Sequence, residues 1–110
     1  MATKNRTLGK ELLTSNATIY TTPPRFEASV DSIIVSNASS SNVSFSLDWY
    51  DSQTTTYYTI AEQVVMYPNS VLQLTDGFIL HPNDTLRGLA SVANVITVSV
   101  KVKEEYLTAS

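Results

Sequence analysis

The residues able to do chemistry are few and scattered. His81 is the only histidine, which excludes a metal site or proton relay built on two imidazoles. It stands in His81-Pro82-Asn83-Asp84, a turn sequence, where an exposed turn residue is the simpler reading. Serines and aspartates are plentiful, but no Gly-x-Ser-x-Gly elbow occurs, and a Ser/His/Asp triad is recognised by geometry rather than composition. Asp48 and Asp51 flank Trp49-Tyr50, and Asp76 and Asp84 fall in turn sequences, so oxygens for a hard cation such as calcium exist. Such a cation needs about six converging ligands, and no Asp-x-Asp-x-Asp-Gly run supplies them. Solvated loop ends explain these carboxylates better, and two carboxylates at unknown separation do not make a glycosidase pair. The residues therefore point to no catalysis, no cofactor and no metal.

The aromatic residues are the remaining candidates. Trp49, Tyr50, Tyr57, Tyr58 and Tyr67 fall in consecutive extended segments, and on one shared outer face they would form a stacking platform for sugar rings. Strands also favour aromatics for packing alone. Trp49 is in phase with Val43, Phe45 and Leu47, which assigns it to the core, and leaves Tyr50 and one of Tyr57 or Tyr58 facing outward.

The elements that must position these groups are strands. Ile96, Val98, Val100 and Val102 alternate with Thr97, Ser99, Lys101 and Lys103, and Val43, Phe45, Leu47 and Trp49 alternate with Ser44, Ser46, Asp48 and Tyr50. Each is a strand with one buried face. Thr18–Thr22 reads as a strand stopped by Pro23-Pro24. In Phe26–Ser36 the run Val30, Ile33, Ile34, Val35 breaks the alternation, as expected of a mid-sheet strand buried on both faces. The polar loop Asn37–Asn42 then suits a connection between antiparallel neighbours, with Val43–Tyr50 returning beside the preceding strand. Thr56–Met66 follows, interrupted at Ala61-Glu62-Gln63, and after the turn Tyr67-Pro68-Asn69-Ser70 come Val71–Leu74, an Asp76-Gly77 turn and Phe78–Leu80. Thr85–Ala90 and Val95–Glu105 complete the chain. Residues 1–12, with Leu8 and Leu12 four apart around Gly9, read as an N-terminal arm or first strand. The fold class is all-β, an antiparallel β-sandwich of jelly-roll or Ig-like type with about eight short strands over residues 13–110.

Composition narrows the function classes. The 110 residues fit one domain. With no cysteine, the core must hold by packing alone. A net charge of −3 with seven dispersed Lys and Arg is the wrong balance for tracking phosphates, so nucleic acid is not an expected partner. The apolar runs Ile33–Val35 and Val64–Met66 are far too short for a bilayer span, no signal peptide is visible, and production in a cytoplasm without membrane insertion is expected. Fourteen Ser and fourteen Thr set between the apolar positions suit strand faces that meet other protein surfaces at low desolvation cost. The sequons at Asn5, Asn16, Asn37, Asn42 and Asn83 are incidental to such a composition.

The order of turns carries a family resemblance. Ile19-Tyr20-Thr21-Thr22-Pro23, then Ser32–Asn37, an alternating strand, Tyr67-Pro68-Asn69-Ser70, Phe78–Leu86 through the His81-Pro82-Asn83-Asp84 turn, Ala90–Asn94 and a closing Val-rich strand together resemble small β-sandwich virion proteins of tailed bacteriophages. The resemblance runs from about Leu8 to Tyr106. Where such proteins commonly carry Gly-Asp before Thr-Leu, this chain has Asn83-Asp84, so Asn83 is expected in the left-handed conformation. The resemblance implies a virion structural protein, foremost a capsid decoration or cement subunit assembled in the cytoplasm of a bacterial host. Its implied partners are copies of itself, a trimer among the options, and other virion proteins such as the major capsid protein. Arg6, Leu8, Leu12 and Leu13 of the arm, with Tyr57 and Tyr58, are the candidate protein-contact residues. The alternative is a tail, neck or fibre module that binds carbohydrate or a host receptor through the outward tyrosines.

Overall fold

A computed structural model describes residues 3–74 and 77–107. Among them the chain forms nine strands: β1 (Thr3–Glu11), β2 (Ala17–Thr21), β3 (Phe26–Asn37), β4 (Val43–Asp51), β5 (Thr56–Met66), β6 (Val71–Leu74), β7 (Phe78–Leu80), β8 (Thr85–Ala90) and β9 (Ile96–Tyr106). They pair as a long antiparallel ribbon, β1 with β9, β2 with β8, β3 with β6 and β7, and β4 with β5. The ribbon is rolled up and sealed by two further ladders, β9 to β3 and β8 to β4. The result is two sheets in the orders β1-β9-β3-β6, with β7 also on β3, and β2-β8-β4-β5. This winding is that of a jelly roll.

The alternating segments build the core as their pattern requires. Ile96, Val98, Val100 and Val102 are fully buried, as are Val43, Phe45 and Leu47 across from them, and burial of each such side chain is worth about 1.5–3 kcal/mol. Gly88 of β8 lies between β2 and β4, whose inward side chains close over it. A Cβ there would come within 2.8 Å of Leu47 Cδ2 and 3.2 Å of Ile19 Cδ1, so no larger residue fits without displacing the core.

Two sequence expectations are corrected. β3 is mid-sheet, but it is not buried on both faces: Asp31 and Ile34 are exposed. A bulge between Val30 and Ser32 adds a residue, so the inward set steps from Ala28 and Val30 to Ile33 and Val35, and the phase slip mimics two-sided burial. Nor does β4 return beside β3. Residues 38–42 cross to the other sheet, where β4 lies between β8 and β5. The crossing is held by Asn37, whose buried side chain donates to the carbonyls of Ser41, Met66 and Tyr67 and accepts from Ser39. The expected break at Ala61–Gln63 is a bulge within continuous β5, with Gln63 at φ 49° and its N–H donated to Ser46 Oγ. Asn83 has φ 69°, the left-handed conformation expected of it, and Asn69 and Asn94 do the same in their turns. Asp76 of the expected Asp76-Gly77 turn lies outside the described residues.

Candidate functional site

Three of the aspartates singled out in the sequence serve the structure. Asp84 is fully buried, and its carboxylate accepts from Ser52 N–H, Ser52 O–H and His81 N–H at 2.9–3.0 Å. It thereby ties the β7–β8 turn to the β4–β5 loop. His81 is exposed, with its ring 3.6 Å from Glu27. Asp51 accepts from Gln53 N–H, and Asp48 is engaged by Arg87 and Asn16. Among the described residues no three His, Asp or Glu side chains converge as a metal site would require.

Three surfaces remain as candidates, and strand register builds each. The first is the β1 edge. Arg6, Leu8 and Lys10 point to the sandwich side of β1 because they pair with Val102, Val100 and Val98 of β9, whose side chains face inward. Glu104 continues that inward row and is buried at 2% exposure. Arg6 Nη1 lies 3.3 Å from its carboxylate, and Tyr20 of β2 donates its phenol to the same oxygen at 2.5 Å. Burial, and then the bond to Glu104, push the Tyr20 phenol well above its ordinary pKa. A charge at this depth is tolerated because both partners satisfy it.

The second surface is the outer face of the β2-β8-β4-β5 sheet. Tyr50 pairs with Tyr57, and their rings stand 4.7 Å apart. Arg87 of β8 lays its guanidinium 4.1 Å over the Tyr57 ring and makes two bonds to Asp48, at 3.1 and 3.3 Å. The Asp48 bond holds the guanidinium pKa above its ordinary value. Beside this array runs a groove of about 390 Å³, lined by Asn16, Ser44, Ser46, Asp48, Thr59 and Gln63 among others.

The third surface lies at the opposite edge from β1, where the sheets part between β5 and β6–β7. A cleft of about 460 Å³ opens there, lined by Val30, Ile33, Leu74 and Phe78 from one sheet and Trp49 and Ile60 from the other, with Ser32 and Gln73. Tyr58 stacks on Trp49 at 5.1 Å.

The six candidate contact residues therefore separate. Arg6 and Leu8 are half-buried on the inner side of β1, Leu12 is fully buried in the core, and Leu13 is exposed in the next connection. Leu12 is thus covered by its own chain: its N–H bonds Ile96 O, and its carbonyl accepts from Asn94. Tyr57 and Tyr58 are both exposed, but they lie on opposite faces of β5, so they form no common platform, and one face of Tyr57 is covered by Arg87. Sequence reasoning missed the Glu104 cluster, although Glu104 falls in phase with Val98, Val100 and Val102, and a carboxylate in an inward row was a visible signal. It also missed the cleft, which depends on how far two sheets diverge.

No family model matches the chain, and no curated protein does. Solved structures do share its fold. A protein of Bacillus endospore appendages, which form disulfide-linked pili, superposes with a TM-score of 0.58 over 97% of this chain and 88% of that one, at 16% identity. A protein of the T13 IBDV viral particle superposes with a TM-score of 0.57 over 98% of this chain and 36% of that one, at 8% identity. A pentameric capsid protein isolated from metagenomic phage sequences aligns over 91% of this chain and 60% of that one at a TM-score of 0.41 and 18% identity. At these identities the first two likenesses are of fold alone: the fold of this chain is one found in a protein of a viral particle and in a protein of endospore appendages.

Proposed function

We propose that this chain is a bacteriophage virion structural protein, a capsid decoration or cement subunit that acts by binding and not by catalysis. The observation that carries the reading is the jelly roll itself, matched over 98% of the chain by a viral-particle protein, in a molecule whose Asp48, Asp51 and Asp84 are engaged in turns and strand pairing. Jelly rolls serve widely as shell-building domains. With no cysteine, any polymer of this chain is held without disulfides, unlike the pili that share its fold. Copies assembled as a symmetric oligomer, a trimer among the options, would meet the major capsid protein through exposed edges and loop ends. The test is made on particles encoded by the same genome. The chain is expected to band with intact particles in a density gradient, and particles lacking it are expected to form yet break at lower temperature. Particles that never contain the chain would overturn the virion reading, and shells that cannot form without it would overturn the decoration role.

A second reading, a tail, neck or fibre module binding carbohydrate, is favoured by the groove beside Asp48, where hydroxyls, amides and a carboxylate line a sheet face as sugar hydroxyls require. Glycan-array binding lost on Asn16→Ala with Gln63→Ala would support it, and a blank array would remove it.

A further inference from the structure

A sheet edge takes a further strand where it is long and regular, because its outer N–H and C=O groups have no partner. Most edges of this sandwich are neither. β2 has five residues with a bulge between Thr18 and Tyr20, and β5 is broken by its bulge, where the Gln63 N–H turns to Ser46 Oγ. β6 and β7, of four and three residues, occupy separate stretches of β3. β1 differs. All nine of its residues pair with β9 without a break in register, so its outer side is a regular edge of about 30 Å, and among the described residues β9 is its only strand neighbour.

What this edge accepts is set by its inward row. Lys4, Arg6, Leu8 and Lys10 pair with Glu104, Val102, Val100 and Val98, the β9 row that faces the other sheet. Glu104 is the one carboxylate there, and Arg6 and Tyr20 already hold it. The ion pairs among the described residues do not include Lys10, which is half-buried and keeps water through the open side of the strand. A strand laid along β1 closes that side, and a covered ammonium then needs a carboxylate. We propose that the β1 edge takes an extended segment of another protein, hydrogen-bonded along the backbone, with Asp or Glu in its inward row opposite Lys10. A second copy of β1 does not qualify. Any in-phase pairing of β1 with itself brings together only Lys4, Arg6, Leu8 and Lys10, and the antiparallel one centred on Leu8 sets Lys10 against Arg6. Of the other edge strands only β5 carries an acid, Glu62, and it falls where the register with β4 is broken. The outward face of the edge does not change the selection: Glu11 is the one charge in that row of β1, beside Lys101, Lys103 and Glu105 of β9, and β2 has none.

The contact rests on the proposal of a subunit that binds other virion proteins, and deepens it by naming the edge and the chemistry of the segment that joins it. It is read on the purified chain with three synthetic peptides, each as long as β1. One alternates Thr with Glu, one alternates Thr with Lys, and the third is the Thr–Glu peptide methylated on every backbone nitrogen, which keeps its charge and loses its donors. Calorimetric titration is expected to show binding of the first peptide alone, with amide exchange slowed along Thr3–Glu11. Lys10→Glu is expected to weaken that binding at least about tenfold, since like charges then meet in the closed row. Lys101→Glu, the same change of net charge on the outward face, should weaken it by no more than about threefold at physiological salt. A chain that binds none of the peptides, that binds the methylated peptide as well as the unmethylated one, or that keeps its affinity with Lys10→Glu would overturn the contact. Peptide binding by a chain never found in particles would leave the edge standing and remove the virion reading, and a particle-bound chain that ignores the peptides would do the reverse.

Discussion

Along its β1–β2 edge the sandwich ends on charge satisfied from within, Glu104 held by Arg6 and Tyr20, whereas along β5–β6–β7 it ends on a cleft whose described lining is largely apolar, with an exposed tyrosine at its corner. The same two sheets produce both. At the first edge β1 adds a strand to one sheet, and its inward Arg6 makes a carboxylate in the adjacent row tolerable. At the second the ribbon folds back through the β5–β6 turn, and β6 and β7 are short strands that pair with different stretches of β3. One edge carries an ion pair that ties β1 to β9. The other leaves apolar surface open to solvent. Substitutions at the two edges should therefore differ in what they cost the fold.

The largest effect is expected at the closed edge. Arg6→Ala leaves Glu104 buried with a phenol as its only partner and should lower stability by about 2 kcal/mol, less than a fully buried pair because Arg6 reaches solvent. That corresponds to a fall of about 8 °C in Tm. If the cluster serves register rather than stability, Arg6→Leu with Tyr20→Phe and Glu104→Leu should come within about 1 kcal/mol of the parent, or exceed it. Urea unfolding of both variants checks the pair of outcomes, and equal losses in the two would contradict a role in specification.

Tyr20→Phe follows, at about 1–2 kcal/mol near neutral pH, because Glu104 then keeps Arg6 alone. It also has a pH signature. The folded phenol titrates above its ordinary value of about 10, so its contribution is complete below pH ~10 and is lost as pH rises further. The parent should lose stability in that alkaline window, and Tyr20→Phe should lose it less steeply. Parallel pH profiles would show that Tyr20 is not the group responsible.

How far these regions were legible in the sequence follows from the physics of each. Period-two alternation fixed the inward rows of β4 and β9, because only one face of each strand is buried. The same rule misread β3, since one extra residue near Asp31 shifts the phase, and a bulge has no composition signature of its own. It misplaced β4, because a polar six-residue stretch such as Asn37–Asn42 serves equally as a hairpin loop or a crossing between sheets. The Arg6–Glu104 pair joins positions at the two ends of the chain, and only the β1–β9 register brings them together. The aromatic residues were legible up to one choice: with Trp49 assigned inward, Tyr50 and one of Tyr57 or Tyr58 had to face outward, and only the β4–β5 register makes that one Tyr57.

Between the two edges, the outer array gives an intermediate effect. Tyr57→Ala removes a ring packed on Tyr50 and lying under Arg87, at about 1 kcal/mol. The loss should be similar in low and high salt, since Arg87 keeps its two bonds to Asp48. A strongly salt-dependent loss would mean that the ion pair depends on the ring.

The smallest stability effect belongs to the open edge, and its smallness is the point. Tyr67 is among the most exposed large side chains in the described chain, and its turn is held through its carbonyl, not its ring. Tyr67→Ser should therefore change the stability of the monomer by no more than about 0.5 kcal/mol, measured by urea unfolding at concentrations too low for association. A loss comparable to that of Arg6→Ala would place the Tyr67 ring in the fold and erase the contrast between the edges.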